Sequence, residues 1–479
     1  MRVRILAATA AVAALTSAGL TLPLAGSAAA AVTTPRFDFN GDGYADIAVG
    51  MPNATVNGKA KAGYVSVIFG GPQSPSQSTG VISQAEAGIP GTPEAGDRFG
   101  SAVATVDVDG DGASELVVGA SGESLTSEQH QDEGTITVLD GSEWNVKGTT
   151  VARGASEFSK IGSTIATGDY DGDGDTDLAY GTGGEEAGSL MFRPGPLTAD
   201  PVTPTSLRHY SMGGRTQDLV TGDFDGDGRD DLATTWYAME DAGTFITRWD
   251  DEGKPARWWS DSDRGSALAA ADFDRDGTDD LAVGLVAPNF ETEFTHCTDR
   301  LGGAVLLLKG SKSADFGTED ECVTQSSQDV GGAAEEGDSF GAALAAGDLN
   351  GDSRPELVVG VPGEDVGTVK DAGGYVTLNG TESGLRGGLA RSQSTPNMPG
   401  TAEAGDRFGA RVAVGDYNRD GLGDTAVSAP GENAGEPRSG GVWFAPGSTE
   451  ETYPLGKSLT PFGFALPNGA IKYGEVLGS

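Results

Sequence analysis

Acidic side chains recur along this chain in a short pattern that could bind a divalent cation. Nine-residue segments of the type Asp-x-Asp/Asn-x-Asp-Gly-x-x-Asp/Glu begin at seven Asp residues, and we number them loops 1 to 7. Oxygen-bearing side chains fall at positions 1, 3, 5 and 9, and Gly usually occupies position 6. Ca²⁺ takes about six to eight oxygen ligands, and alternate positions of a tight turn point inward to supply them. The carbonyl of position 7 would add one more oxygen, because Gly at position 6 permits the bend.

The pattern predicts up to seven Ca²⁺ ions, whereas Mg²⁺ suits it less because Mg²⁺ demands small octahedral sites and retains its waters. Solvated acidic turns are the alternative, but seven copies with one spacing favour metal. Loop 6 departs furthest from the pattern, since Ser353 replaces Gly and Pro355 occupies position 8. In chain order, the residues at positions 1, 3, 5, 7 and 9 are Asp38, Asn40, Asp42, Tyr44 and Asp46 in loop 1; Asp107, Asp109, Asp111, Ala113 and Glu115 in loop 2; Asp169, Asp171, Asp173, Asp175 and Asp177 in loop 3; Asp223, Asp225, Asp227, Arg229 and Asp231 in loop 4; Asp272, Asp274, Asp276, Thr278 and Asp280 in loop 5; Asp348, Asn350, Asp352, Arg354 and Glu356 in loop 6; and Asp416, Asn418, Asp420, Leu422 and Asp424 in loop 7.

Short apolar segments bounded by Gly follow each loop and indicate strands instead of helices. Examples are IAVGMP (47–52) and LVVGVPGE (357–364), each followed by a second run such as GYVSVIFGG (63–71). Each unit is therefore predicted to hold three or four antiparallel strands. Seven such sheets can bury their faces by packing radially, which predicts an all-β, seven-bladed β-propeller. A linear solenoid and a string of small calcium-binding modules are the alternatives.

The two ends of the chain favour a closed ring. Loop 1 begins so early in the chain that the first unit lacks a leading strand. The segment 471–479 carries Tyr473-Gly474 where other units have Phe-Gly, so we expect it to complete the first blade. The segment 459–466 is predicted to form the outer strand of the last blade.

The order of motifs within a unit resembles FG-GAP repeats: Phe-Gly, then the acidic loop, then V-G-x-P-G-E. FG-GAP repeats form the seven-bladed propeller of integrin α subunits, and the resemblance covers nearly all of residues 32–479. It implies calcium binding and, in many members, adhesion or ligand recognition. Blade 3 departs with Ile161-Gly162, and blade 4 departs further with Met212-Gly213-Gly214. Heterodimeric receptor function does not carry over, because the chain holds no Arg-Gly-Asp and no second integrin-like domain.

The net charge of −40 argues against nucleic acid and against electrostatic docking on an anionic membrane. Residues 1–31 combine Arg2 and Arg4 with an apolar stretch and small residues, which predicts a secretory signal peptide; an uncleaved anchor is the alternative. We therefore expect residues 32–479 to be secreted, extracellular and monomeric. In that compartment Cys297 and Cys322 are predicted to form a disulfide, with two free buried thiols as the alternative.

The sequence supports two classes of function and predicts no catalytic residue. The first is a binding or adhesion module for an extracellular protein or polysaccharide. The second is an extracellular polysaccharide lyase or hydrolase. His130, His209 and His296 lie in different units, and the cluster Arg208-His209-Tyr210 is the best match to a lyase.

Aromatic residues and long loops are further candidates for ligand contact. Residues 257–259 and 236–237 could stack on sugar rings, although packing between blades is the stronger interpretation for their Trp side chains. The longest loops, 120–133, 285–301 and 364–372, are predicted to emerge on the face opposite the calcium loops, where we expect the ligand.

Overall fold

Four-stranded antiparallel sheets are the repeating unit of this fold. The computed structural model describes residues 37–72, 79–125, 132–141, 146–184, 187–199, 202–239, 241–286, 296–298, 300–313, 316–317, 320–433, 438–449, 455–460 and 472–478. The predicted signal peptide lies outside the described residues, and residues 34–479 form one compact unit. Within the described part of the chain, no helix is long and apolar enough to cross a bilayer.

The strands form seven sheets, which we call blades 1 to 7. From the axis outward, the strands are β28 (Val476–Gly478), β1 (Ile47–Met51), β2 (Tyr64–Ile68) and β3 (Thr79–Ile82) in blade 1; β4 (Phe99–Val106), β5 (Glu115–Ala120), β6 (Thr135–Asp140) and β7 (Lys147–Arg153) in blade 2; β8 (Ile165–Gly168), β9 (Asp177–Thr182), β10 (Ser189–Arg193) and β11 (Thr205–His209) in blade 3; β12 (Arg215–Gly222), β13 (Asp231–Tyr237), β14 (Ala242–Trp249) and β15 (Pro255–Asp261) in blade 4; β16 (Ala267–Ala271), β17 (Asp280–Leu285), β18 (Ala304–Leu308) and β19 (Asp320–Val323) in blade 5; β20 (Ala343–Gly347), β21 (Glu356–Val361), β22 (Gly374–Thr381) and β23 (Gly384–Arg391) in blade 6; and β24 (Val412–Gly415), β25 (Asp424–Ser428), β26 (Val442–Ala445) and β27 (Lys457–Leu459) in blade 7.

Contacts between the innermost strands close the blades into a ring. In chain order, β4, β8, β12, β16, β20 and β24 each contact the next, and β28 contacts both β24 and β4. β28 also pairs antiparallel with β1, with Leu477 opposite Val49, so the C-terminal segment joins the first blade. The predicted all-β, seven-bladed propeller is confirmed, and a linear solenoid is excluded. The outer strand of blade 7 is Lys457–Leu459; of the predicted strand 459–466, residues 461–466 lie outside the described residues.

In the described residues, the Phe-Gly motifs and their equivalents tie neighbouring blades together at five of the seven junctions. Phe408 is fully buried and bridges Gly373 of the preceding blade in parallel. A Cβ at Gly373 would lie 2.2 Å from the carbonyl oxygen of Phe408, so only Gly allows this approach. The same bridge is made by Phe99, Ile161, Phe340 and Tyr473. Ile161 and Tyr473 therefore take the structural place of the motif's Phe.

Apolar and aromatic side chains fill the spaces between blades. Between blades 3 and 4, the rings of Tyr170 and Trp249 stack with centroids 4.9 Å apart. Tyr210 stacks on Trp236 at 5.3 Å in the same cluster, and Trp236 is only 4% exposed. Trp236 is therefore a packing residue, as the stronger of the two sequence interpretations held.

A disulfide joins Cys297 to Cys322 in blade 5, with their Cα atoms 5.4 Å apart. It fastens the segment before β18 to the outer strand β19, as the cysteine pair predicted. Two of the predicted long loops lie partly outside the described residues. These parts are residues 126–131 of the loop after β5 and residues 287–295 of the loop after β17. Each acidic loop leads into the second strand of its blade, so the loops that join second to third strands lie at the opposite end of the blade.

Candidate metal centre

Each acidic loop immediately precedes the second strand of its blade and turns sharply at two places. Position 6 has a positive φ in every loop, from 67° at Ser353 to 90° at Gly112 and Gly174. Position 4 is also left-handed throughout, including Arg275 in loop 5 and Arg419 in loop 7. The chain therefore makes the same double turn in all seven copies, which accounts for the frequent Gly.

Backbone amides orient the side chains at positions 1, 3 and 5. In every loop, the position-1 carboxylate accepts a hydrogen bond from the N–H of position 6; between Asp272 and Gly277 the distance is 3.0 Å. The position-3 oxygen accepts from the N–H of position 5. The position-5 carboxylate accepts from the N–H of position 7. These bonds hold three side chains over the interior of each turn.

Position 9 is the buried member of the set. Its carboxylate accepts a hydrogen bond from the N–H of position 2 in all seven loops. Burial is the main cause that raises the pKa of this group, and neighbouring loop carboxylates raise it further. The pKa rises to about 7 at Asp46, Glu115, Asp177, Asp280, Glu356 and Asp424, and to about 8 at Asp231. A nearby cation would relieve this cost of ionisation.

The carboxylates converge closely enough to share one cation. In loops 2, 3, 4 and 5, oxygens from three acidic side chains lie within 4.8 Å of one another. Loops 1, 6 and 7 carry Asn at position 3, whose oxygen accepts the same backbone hydrogen bond. An all-oxygen, anionic donor set fits Ca²⁺. The structure thus brings together positions 1, 3 and 9 in loops 2, 3 and 4, and positions 1, 3 and 5 in loop 5. The remaining ligands, including the position-7 carbonyls from Tyr44 to Leu422, stay a prediction.

Loop 6 keeps the full hydrogen-bond pattern despite its unusual sequence. Ser353 donates its N–H to Asp348 Oδ2 at 2.9 Å, as Gly does in the other loops. Its φ of 67° places a side chain in the left-handed region, where an L residue is strained. The departures at positions 6 and 8 therefore alter the energy of the turn and leave its geometry intact.

Cationic side chains from the third strands reach two of the loops, which sequence reasoning missed. Arg248 Nη1 lies 3.1 Å from Asp225 Oδ2 in loop 4, and Lys309 Nζ lies 2.8 Å from Asp274 Oδ2 in loop 5. Arg229, within loop 4, also forms an ion pair with Asp227. These pairs partly neutralise loops 4 and 5 without metal. The lone Arg or Lys at the end of a third strand gives no sequence signal of such a contact.

Among the described residues, the histidines and Tyr210 that the sequence offered for an enzymatic function have separate hydrogen-bond partners. His209 Nδ1 lies 2.7 Å from Ser189 Oγ, whereas His296 Nδ1 lies 3.1 Å from Asp263 Oδ2. The Tyr210 hydroxyl bonds to Thr216 in a buried site, and burial raises its pKa to about 12. Tyr210 is thus unsuited to act as a base beside His209. His130 lies outside the described residues.

The remaining aromatic candidates serve mainly in packing. Trp258 and Trp259 are half-buried, with ring centroids 5.1 Å and 5.5 Å from Phe316 of blade 5. Tyr237 lies beneath Arg264, whose Cζ is 4.3 Å from the ring centroid. Their neighbour Arg257 is exposed and therefore accessible to a ligand.

A second repeated polar contact lies at the opposite end of the second strands. Gln325 Nε2 donates to Glu364 Oε2 at 2.6 Å, and the same bond joins Gln84 to Glu123 and Gln393 to Glu432. Burial raises the pKa of Glu123 and of Glu364 to about 7. The sequence signal was the recurring Gly-Glu after the second strand, whose partner Gln follows the outer strand of the preceding blade.

Family comparisons agree with this repeat structure. Residues 33–68, 99–139, 340–378 and 408–444 match the family described as FG-GAP repeat. The chain contains FG-GAP repeats. Residues 169–234 match a related family, described as FG-GAP-like repeat, and they include the acidic loops of blades 3 and 4. The expected resemblance to the integrin α propeller is confirmed.

Similar curated proteins include enzymes and adhesion receptors. The chain is 31% identical over 173 residues to human phosphatidylinositol-glycan-specific phospholipase D, covering 34% of this chain and 20% of that protein. It is 32% identical over 174 residues to mouse integrin alpha-3, covering 34% and 15%. It is 36% identical over 97 residues to Xenopus laevis integrin alpha-4, covering 20% and 9%. The FG-GAP chain thus spans a fifth or less of the length of these relatives.

A likeness to a solved structure extends over most of the chain. The Pseudomonas aeruginosa periplasmic gluconolactonase PpgL aligns with 87% of this chain and 95% of its own, at a TM-score of 0.47 and 12% identity.

Proposed function

We propose that this chain is a secreted calcium-binding FG-GAP propeller that serves as an extracellular binding or adhesion module for a protein or polysaccharide. The observation that carries the proposal is the repeated geometry of the acidic loops. In all seven, one set of backbone hydrogen bonds orients side-chain oxygens at positions 1, 3 and 5 and fixes the buried carboxylate at position 9.

Calcium would act on the framework of the propeller. Bound Ca²⁺ supplies positive charge to a cluster of carboxylates that otherwise repel one another. The chain's own residues then hold the turn before each second strand, and position 9 anchors that turn to the strand. Up to seven ions would stiffen one face, and the opposite face would present the loops between second and third strands.

The proposal assigns residues 1–31 to a signal peptide and residues 32–479 to the mature propeller. The basic start and the apolar stretch of residues 1–31 motivate this division. The extracellular setting agrees with the disulfide between Cys297 and Cys322. We expect the mature propeller to act as a monomer.

A binding screen tests the proposal. Residues 34–479 are passed over arrays of extracellular polysaccharides and adhesion proteins, once in calcium and once in EGTA. We expect retention in calcium, loss of retention in EGTA, and no change in the mass of a retained glycan. Shortened or unsaturated glycan products would instead support the alternative of a carbohydrate-active enzyme, and retention that is equal in EGTA would contradict the role of calcium.

A further inference from the structure

A groove of about 350 Å³ lies at the outer edge of the interface between blades 3 and 4. One wall is formed by residues 206–208 of β11, and the other by Phe245, Thr247 and residues 255–257 of blade 4. Its volume is in the range of sites for small ligands, which is about 300–1,000 Å³. A folded partner could insert no more than a side chain, so the groove suits a small group or one unit of a chain.

Two arginines from separate blades meet at this groove. Arg208 is stacked among aromatic rings, with its Cζ 4.3 Å from the centroid of Trp236 and 5.1 Å from that of Phe245. Arg257 is exposed on β15, where it lies opposite Thr247. Burial lowers the pKa of Arg208 and the charge of Arg257 also lowers it, whereas Tyr210 and Asp241 act in the opposite direction. The two guanidinium groups therefore repel each other across the groove.

No ion pair in the described part of the chain neutralises these two arginines. Among the described residues, neither Arg208 nor Arg257 forms an ion pair or a side-chain hydrogen bond. In the same region, Ser206 Oγ and Arg208 Nε are buried without a hydrogen-bond partner. Two neighbouring cations without an ion pair among the described residues are unexpected in a chain with a net charge of −40, which offers many carboxylates as partners.

A larger groove on the propeller contrasts with the groove between blades 3 and 4, because most of its charged lining residues are acidic. It has a volume of about 720 Å³, lies between blades 6 and 7, and is lined by Asp329, Asp352 and Glu356. Its one lining arginine, Arg391, donates to the Tyr375 hydroxyl at 3.3 Å. An anionic group would be repelled there and attracted to the groove between blades 3 and 4.

We propose that the groove between blades 3 and 4 binds the carboxylate of a uronate unit in an extracellular polysaccharide. Guanidinium groups bind carboxylates through paired, charge-assisted hydrogen bonds. Leu207 and Pro255 line the groove with apolar atoms that could contact the C–H face of a sugar ring. This inference rests on the proposed binding function and names its ligand class.

The acidic surface limits which anionic glycans can bind. A densely sulfated polymer would meet repulsion from the rest of the protein, whereas a short uronate oligosaccharide places its charge only in the groove. We therefore expect trigalacturonate to bind, its neutral counterpart galactotriose to bind much more weakly, and heparin to gain no advantage from its higher charge.

Calorimetric titration of residues 34–479 with trigalacturonate in calcium buffer tests the site. Arg257→Gln should weaken binding about tenfold or more, because one charge-assisted contact is lost. Arg208→Lys should also weaken binding, because an ammonium group cannot form the paired hydrogen bonds that a planar guanidinium makes with a carboxylate. Arg215→Gln is the matched control, because Arg215 also lies over an aromatic ring of blade 4, at 4.9 Å from Tyr237, and is outside the groove.

Unchanged binding by Arg257→Gln, or equal affinity for galactotriose, would overturn the uronate site. A peptide with a free C-terminal carboxylate that binds in preference to trigalacturonate would also overturn it. If the array screen finds a calcium-dependent ligand but trigalacturonate does not bind, this inference fails and the proposed function stands. If no ligand is found in either experiment, the proposed function fails as well.

Discussion

Lys309 Nζ lies 2.8 Å from Asp274 Oδ2, so an ammonium group contacts a predicted calcium ligand of loop 5. Asp274 is 7% exposed and Lys309 is 23% exposed, which shields the pair from solvent. In loops 2 and 3 no such ion pair is found among the described residues. The seven sites are therefore expected to differ in affinity although their backbone geometry is the same.

Replacing Lys309 should strengthen calcium binding at loop 5. Lys309→Met removes a positive charge that competes with the ion, and we expect the affinity of loop 5 for Ca²⁺ to rise about fivefold, equivalent to about 1 kcal/mol. Calcium titration of the variant measures this change. Lys312→Met is the control, because Lys312 lies near the same loop and forms no ion pair among the described residues. An equal rise in both variants would show a general effect of charge and contradict the specific contact.

Two ligand substitutions in loop 3 should abolish one site. Asp171→Ala with Asp173→Ala removes the oxygens at positions 3 and 5, so calcium stoichiometry should fall by one and thermal stability in calcium should fall. Asp175→Ala serves as the control, because only the backbone carbonyl of position 7 is a proposed ligand. Unchanged stoichiometry in the double variant, or an equal loss in Asp175→Ala, would contradict the ligand assignment.

Placing Gly at position 6 of loop 6 should make the folded chain more stable. Ser353→Gly relieves the left-handed φ of 67° and should raise the free energy of unfolding by about 0.5–1 kcal/mol. Denaturant unfolding in saturating calcium measures this. Ser326→Gly, at an exposed turn position outside the left-handed region, should instead lower stability slightly. A loss of stability in Ser353→Gly would mean that the turn is not strained.

The half-buried carboxyl of Glu364 should make stability depend on pH. Its pKa is raised to about 7, so the folded chain binds more protons than the unfolded chain between about pH 4.5 and pH 7. Stability from this group is therefore present at low pH and is lost as the pH rises through 7. Glu364→Gln keeps an oxygen for Gln325 and removes the ionisation.

The expected gain from Glu364→Gln, after allowance for solvent screening, is about 1 kcal/mol at pH 8 and near zero at pH 5. Urea unfolding at the two pH values provides the measurement. Glu336→Gln, at an exposed position, should show no such difference between pH 5 and pH 8. A gain for Glu364→Gln that is equal at both pH values would exclude ionisation as its cause.

Much of the fold can be predicted from local sequence because each blade repeats the same short-range turn and the same strand pattern. The spacing of loop oxygens predicts turns whose hydrogen bonds span at most seven residues, and Tyr473-Gly474 is recognisable because its neighbours repeat Phe-Gly. These contacts depend on residue type and spacing, which the sequence displays directly.

The sequence places Arg208 and Arg257 in two separate candidate clusters, but their meeting in one groove was not predictable in the same way. Arg208 and Arg257 meet across two blades, and the β-bulge between Ile246 and Thr247 shifts the pairing so that Arg257 lies opposite Thr247. A shift of one residue would turn this side chain to the other face of the sheet. Such a bulge leaves no regular mark in a sequence. Arg248 and Lys309 were missed because they lie at the end of the third strand, far in sequence from the loops that they contact.

We expect the acidic loops to bind calcium and the bound calcium to hold the propeller together. Calorimetric titration of residues 34–479, combined with melting in calcium and in EGTA, tests it most directly. We predict up to seven sites, with the weakest among loops 4 and 5, and a large fall in Tm on chelation. No binding heat and an unchanged Tm would contradict the account, since the loops would then be solvated acidic turns.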